Sequence, residues 1–322
     1  MKRILPFDTN VELKSYPYYS NYLSILKSKN IPINMELFCK TYELKYVFLK
    51  GQVKGKENDY FKNKFEIAEF QLPMQDLITY ICNAIDNNKY VCIVLNFRGI
   101  KISNKGYTNN DFHTWLIYGY DNSKKIFYMA GYLSKIGFPY YKSFNVSFEE
   151  VINSQPNMNE ITGYEKNLMD NHLISLNTYN VKNVSKEEIL NYIKRYNKVQ
   201  QNIFSNRNTY KWLIIHIKLG NAINKTLNDR NLLDCRDYIT IKEHFLSLNK
   251  MMKALNIELF NDKIVELLNI ADAMVLLSVK YSLDKKRKNK ICNSMCKQLK
   301  IIMKKEKLLY CDLKNYYESY QF

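Results

Sequence analysis

The 322 residues predict an α+β protein in two parts: an antiparallel-sheet domain over 1–160 and an all-helical domain over 161–322. Three observations carry that reading. Tyr90 to Phe97 is a near-continuous apolar run, as expected of a central strand buried on both faces. Asp111 to Asp121 and Lys125 to Met129 are two β-prone runs around Gly119, Asp121, Asn122 and Ser123, the pattern of a hairpin and its turn. After about residue 185 the aliphatic residues recur at three- and four-residue spacing, segment after segment, which marks helices packed on helices.

Residues 1–17 read as extended, with Pro6 and Pro17 as punctuation. Pro17 suits the start of a helix in which Tyr18, Tyr22, Leu23, Ile25 and Leu26 fall near helical spacing, running to Lys29. Residues 35–50 look strand-rich, with Cys39 in the core, and 51–71 are polar and without a strong period. Met74 to Asn87 predicts an amphipathic helix with Leu77, Ile78, Ile81, Cys82 and Ile85 on one face. A Gly/Asn-rich loop over 98–110 leads into the hairpin. Ser143 to Asn153 reads as a strand and a helix start, where Ser147 and Glu150 have capping-box spacing. A linker is placed near 155–185. Ser185 to Glu188 repeats the capping pattern and opens a helix to about Ile203. Four more helices follow, over Tyr210–Leu227, Tyr238–Leu255, Asn261–Leu283 and Lys288–Tyr317.

Hydrophobic residues make up 46% of the chain, enough for a sizeable core, and nine glycines with six prolines are too few for disorder. The net charge is +17; residues 186–322 hold 26 Lys and Arg against 14 Asp and Glu, and so carry +12 of it. Such an excess favours an acidic partner through long-range steering. No helix-turn-helix, RNA-binding or zinc-finger signature makes nucleic acid the default. The run Lys285-Lys286-Arg287-Lys288-Asn289-Lys290 reads first as a solvated helix start or loop. Seven cysteines, odd in number and set in apolar stretches, argue against a disulfide framework. Cys292 and Cys296 are four apart on a helix, but no second Cys/His pair of ligand spacing stands near them, so neither a metal nor a cofactor is expected. The N-terminus lacks the apolar core of a signal peptide, and no apolar run approaches the roughly 18 residues that span a bilayer. The chain is therefore expected to be cytoplasmic, with no membrane association. His172, His216 and His244 read as core or surface residues, and no Gly-rich phosphate loop or nucleophile elbow is present.

The one residue that invites chemistry is His113. It stands at the mouth of an apolar strand, where a hairpin behind the ring can hold a general base. The plain alternative is a half-buried histidine that caps the strand.

The run His113-Thr114-Trp115-Leu116-Ile117-Tyr118-Gly119-Tyr120-Asp121, followed by an aromatic strand, resembles the histidine segment of papain-like, C39-peptidase-type proteins. The subgroup it is most similar to is encoded in thiotemplate and nonribosomal peptide biosynthesis clusters and includes the butirosin-pathway acyltransferase and the closthioamide amide-forming transferase. The likeness covers residues 16–30, 75–150 and, more loosely, the helices after 185. It implies a papain-like domain followed by a helical one. The implied activity moves an acyl or aminoacyl group from an acidic acyl- or peptidyl-carrier protein, through a cysteine thioester, to a small-molecule acceptor. The family sets that cysteine at the N-terminus of the first helix, where the helix end stabilises a thiolate and an oxyanion. The matching residue here is Tyr18, whose phenol, with a reference pKa near ~10, is a poor nucleophile at neutral pH. Ser20 lies two residues on and faces elsewhere on the helix. The family's orienting acid lies on the return strand, and Phe127-Tyr128-Met129-Ala130-Gly131 puts Gly131 at its position. The resemblance thus implies His113 and Tyr18 as the site, His113 facing the start of the first helix, in a protein that has lost the family's chemistry or, if active, is a papain-like acyltransferase or amide-forming transferase. The alternative is a non-catalytic structural or regulatory interaction protein whose basic helices form the docking face.

Overall fold

A computed structural model describes residues 1–11, 17–31, 38, 44–47, 52–55, 65–96, 99–101, 112–135, 138–156, 171–176, 184–200, 210–211, 213–215, 217–218, 235–284 and 287–319. The protein is α+β, with a seven-stranded antiparallel sheet and C-terminal helices. It divides into two compact units, residues 1–33 with 59–181 and residues 34–58 with 182–322. The sequence places a single crossing near 160. The later crossing falls inside the anticipated linker, but 34–58 joins the helical unit.

The sheet unit comprises β1 (Lys2–Ile4), α1 (Pro17–Ser28), β4 (Phe65–Glu69), α2 (Leu77–Asp86), β5 (Tyr90–Asn96), β6 (Phe112–Asp121), β7 (Ile126–Lys135), β8 (Phe138–Ser147), α3 (Phe148–Asn153) and β9 (His172–Leu176). Strand order is β4-β9-β5-β6-β7-β8, and β1 pairs with the far half of β6. Residues Tyr90 to Leu95 are all buried, as the unbroken apolar run predicts for a strand between two covered faces. The sequence reading missed β9, which lies among residues taken for a linker and helices. It is five residues long, and its central position comes from pairing with β4 on one side and β5 on the other. Strand β4 was missed too; only Phe65 of its five residues is buried, so no alternation was visible.

Strand β6 runs through Asp121, so Gly119 and Tyr120 lie in the strand and the turn is Asn122–Lys125. Gly119 follows a bulge after Ile117. A Cβ there would stand 2.8 Å from the Arg3 carbonyl oxygen and 2.9 Å from Ile4 Cα, so glycine is what lets β1 approach. Asp121 does stabilise the turn: its carboxylate accepts from the Ser123 hydroxyl at 2.6 Å and the Ser123 amide at 3.0 Å. The Ser123 hydroxyl leads the interactions that hold this carboxyl below its usual range. Ser147 caps α3 as its spacing predicts: its hydroxyl accepts from the Glu150 amide at 3.1 Å, and the Glu150 carboxylate accepts from the Ser147 amide at 3.0 Å.

Pairing register sorts the sheet into two faces, because paired residues share a face and successive ones alternate. Tyr90, Cys92, Leu116, Ala130, Tyr132, Tyr141 and His172 share one face. Val91, Ile93, Leu95, His113, Trp115, Ile117, Met129, Gly131 and Phe144 share the other. Helix α1 covers the first face through Ser20, Asn21 and Tyr22. Helices α2 and α3 cover the second: Asp86 accepts from the Tyr120 hydroxyl at 2.8 Å, and Phe148 packs on Phe127 at 4.4 Å.

The helical unit contains the hairpin β2 (Leu44–Val47) and β3 (Gln52–Gly55), then α4 (Lys186–Gln200), α5 (Cys235–Ala254), α6 (Asn261–Leu283) and α7 (Lys288–Ser319), and residues 210–211, 213–215 and 217–218 are helical. Helix α5 packs on α6, α6 on α7 and α4 on α7, and the hairpin packs on α5. One cluster, including Phe245, Leu267, Met274, Leu299 and Leu309, forms the core. Helices α4 to α7 start and stop within a few residues of the predicted ones, whereas the predicted end of the helix over 210–227 lies outside the described residues. Among the described residues, no helix is long and apolar enough to cross a membrane.

Candidate functional site

His113 is half-buried near the start of β6 and pairs with Leu95 of β5. Its ring meets Trp115 edge to face, with centroids 5.4 Å apart. Trp115 is fully buried and meets Phe144 in the same T-shaped way, also at 5.4 Å. Gly131 lies under this indole. A Cβ at Gly131 would stand 2.4 Å from Trp115 Cε3 and 2.9 Å from Cζ3. The resemblance gives Gly131 the place of an orienting acid, and here an aromatic ring occupies the space that any side chain would need.

Helix α1 starts at the end of the sheet where His113 stands and runs away from it. Its C-terminal Ser28 hydroxyl and the Tyr90 hydroxyl, from the start of β5, both donate to the Pro6 carbonyl, at 2.9 and 2.6 Å. Its N-terminal Ser20 lies beside Tyr132, which the β6–β7 register sets level with Thr114. Yet α1 lies on one face and the His113 side chain projects from the other. The start of α1, which His113 is expected to face, carries side chains at 17–19 that lie outside the described residues. Tyr18 belongs to the first turn of α1, and its side chain lies outside the described residues. Ser20 is fully buried, with its hydroxyl 2.7 Å from the Tyr132 hydroxyl.

The face under α1 holds a polar cluster that sequence reasoning missed. Tyr141 donates to Asn21 Oδ1 at 2.6 Å, and Asn21 Nδ2 lies 4.0 Å from Cys92 Sγ. Burial, first of all, pushes the Tyr141 phenol well above its ordinary range. Tyr22 OH lies 3.2 Å from His172 Nε2, and Cys92 pairs in register with His172. A thiol, an imidazole and an amide therefore sit on neighbouring elements. Their exposures are 0%, 4% and 1% for Cys92, His172 and Asn21. Burial at that level shuts out substrate, and a thiol in such surroundings is inert. The cluster fixes the rotation of α1 on the sheet, since each buried polar group needs its partner. The signal that would have found it is the strand 172–176, which brings His172 beside Cys92.

A second buried polar node lies in the helical unit. His244 of α5 and Glu306 of α7 are 0% and 2% exposed, with Nε2 3.0 Å from Oε1. Tyr310 donates to the same Glu306 oxygen at 2.7 Å. The expectation of a core or surface histidine thus resolves to the core at both His172 and His244; His216 lies outside the described residues.

Of the basic clusters, Lys285 and Lys286 lie outside the described residues. Arg287 Nε is 3.7 Å from Asp284, and Lys288 rests over the Tyr281 ring at 5.1 Å. Lys305 is tied to Glu266 at 2.7 Å, whereas Lys304 and Lys307 are exposed. Cys292 and Cys296 are both buried, and burial pushes the Cys292 thiol up to about 11. Among the described residues no cluster of three or more metal-ligating side chains occurs. A shallow cleft of about 380 Å³ lies between α2 and β9, lined by Tyr80, Asn83, Asn87, Lys89 and Leu173, and it holds neither His113 nor α1 residues.

A scan of the chain against protein-family models finds no match, and a search among curated proteins finds none.

Proposed function

We propose that this chain is a non-catalytic, papain-like relative of the carrier-dependent acyltransferases, and that it binds an acidic acyl- or peptidyl-carrier protein without forming an acyl-enzyme. The observation that carries the reading is the packing of Trp115 over Gly131, on the sheet face opposite α1. An imidazole catalyst needs a nucleophile within about 3 Å, or one water away, and a third group to orient its ring. Here the sequence has Tyr18 at the position of the family's cysteine, α1 covers the sheet face opposite to that of His113, and the acid's space is filled by indole. The excess of positive charge after residue 186 supports an acidic macromolecular partner, and the order of helix, strand, His-strand and return strand supports the papain-like plan.

The test is to mix the full chain with a carrier protein bearing an acetyl-phosphopantetheine arm. Binding should appear by calorimetry and weaken with salt, while intact mass shows no acetyl adduct on the chain, with or without a small amine acceptor. An acetylated chain, lost on His113→Ala, would mean that the reading is wrong and the protein is an active transferase.

A further inference from the structure

Helix α7 carries an unusual surface. Its buried seam includes Cys292, Met295, Leu299, Ile302, Glu306, Leu309 and Leu313, spaced alternately by three and four. On the opposite side the same spacing gives Lys290, Asn293, Lys297, Lys300, Lys304, Lys307, Cys311 and Lys314. All eight of these residues, six of them lysines, are exposed, and none is a carboxylate. At 1.5 Å per residue, Lys290 to Lys314 is a rod of charge about 36 Å long. Neighbouring acids are engaged elsewhere: Glu266 by Lys305, Asp312 by Lys263 and Asp272 by Lys242. Among the described residues, only Lys314 of the stripe has an ion pair, with Glu318. Like charges three and four apart on a helix repel, so the free protein gains nothing from this arrangement.

We infer that this stripe is a docking face for an acidic helix of a partner protein, laid lengthwise along α7. The shape and chemistry select that occupant. Carboxylates at three- and four-residue spacing on a second helix would meet the lysines one for one along the rod, with the shallow crossing that this spacing produces. A duplex groove is a poor match, because α7 is flanked by α4 and α6 and offers one face, whereas a reading helix must enter the groove. The stripe has no arginine for bidentate phosphate contacts and no exposed aromatic for base stacking. Its exposed apolar neighbour on α7 is Leu308, too little for insertion at a bilayer surface. The face belongs to the helical unit and stands whether or not the partner is an acyl carrier.

The probe is a synthetic Ala/Gln helix of about four heptads bearing glutamate at three- and four-residue spacing. Its isomer spreads the same glutamates around the helix. At low salt the striped peptide should bind the full chain at least about tenfold tighter than the isomer. Changing Lys297, Lys300, Lys304 and Lys307 together to Glu should abolish binding, and changing them to Gln should weaken it, with helix content unchanged by circular dichroism. Changing the exposed Lys186, Lys194, Lys211 and Lys253 to Glu, an equal change in charge, should leave it within about twofold. Equal affinity for the two peptides, or equal loss in the two Glu variants, would overturn the inference in favour of diffuse charge. Tighter binding of an oligo-dT or of phosphatidylserine vesicles, lost with the stripe, would overturn it in favour of nucleic acid or membrane.

Discussion

Gly131→Ala probes the packing on which the functional reading depends. The added Cβ would approach Trp115 Cε3 to 2.4 Å and Cζ3 to 2.9 Å, well inside van der Waals contact. Trp115 is fully buried and braced by Phe144 and His113, so the indole has no free path of retreat. Overpacking a tight core costs about 1–3 kcal/mol, and this contact involves a rigid ring rather than the far end of a flexible chain. We expect Gly131→Ala to lower unfolding stability by about 2 kcal/mol, read as a shift of the urea midpoint at constant slope. Gly131→Asp should cost more, since it also buries a carboxylate. Trp115→Phe removes the clashing atoms, so Gly131→Ala in that background should cost about 1 kcal/mol less than in the wild type. A Gly131→Ala protein as stable as the wild type would show that the indole does not occupy this space, and the argument against an orienting acid would lose its basis.

Three further outcomes are expected. His244→Ala leaves the buried Glu306 carboxyl short of a partner and should cost about 1–3 kcal/mol, whereas His244→Leu with Glu306→Leu together should be close to neutral; a neutral single variant would contradict the node. Among the described cysteines, Cys311 is exposed and should react first with iodoacetamide, while the buried Cys92, Cys292 and Cys296 stay unlabelled until the chain unfolds. Burial, helped by Asp86, pushes the Cys82 thiol up to about 11, so its labelling should climb steadily with pH through 9; a plateau near neutrality would refute that environment.

Local signals made much of the chain legible. The apolar run of β5, the capping box at Ser147 and Glu150, and the aliphatic spacing of α6 each sit in contiguous sequence, and each element formed where its signal lies. Strands β4 and β9 were not legible, because each is a five-residue segment that becomes a strand only through neighbours far along the chain, as where Phe65 pairs with Leu176 and Cys92 with His172. The same limit applies to the site. His113 could be singled out by its place before an apolar strand, but which face of the sheet α1 covers depends on Asn21 meeting Tyr141 and Tyr22 meeting His172, contacts that no spacing announces. The reach of 34–58 into the helical unit is likewise a tertiary fact, set by the packing of β2 and β3 on α5.

The placement of His113 on the sheet face opposite α1 is tested most directly by supplying a thiol at the start of α1. In Tyr18→Cys the introduced group sits in the first turn of α1, where the helix end alone lowers a thiol's pKa somewhat from about 8.5. The pH dependence of its alkylation, read by mass spectrometry at that residue, gives its pKa. The account predicts the same value in Tyr18→Cys and in Tyr18→Cys with His113→Ala, because the imidazole is on the far face of the sheet. A value lowered by about two units or more, and restored by His113→Ala, would mean that the two residues meet and that the papain-like machinery lacks only its cysteine.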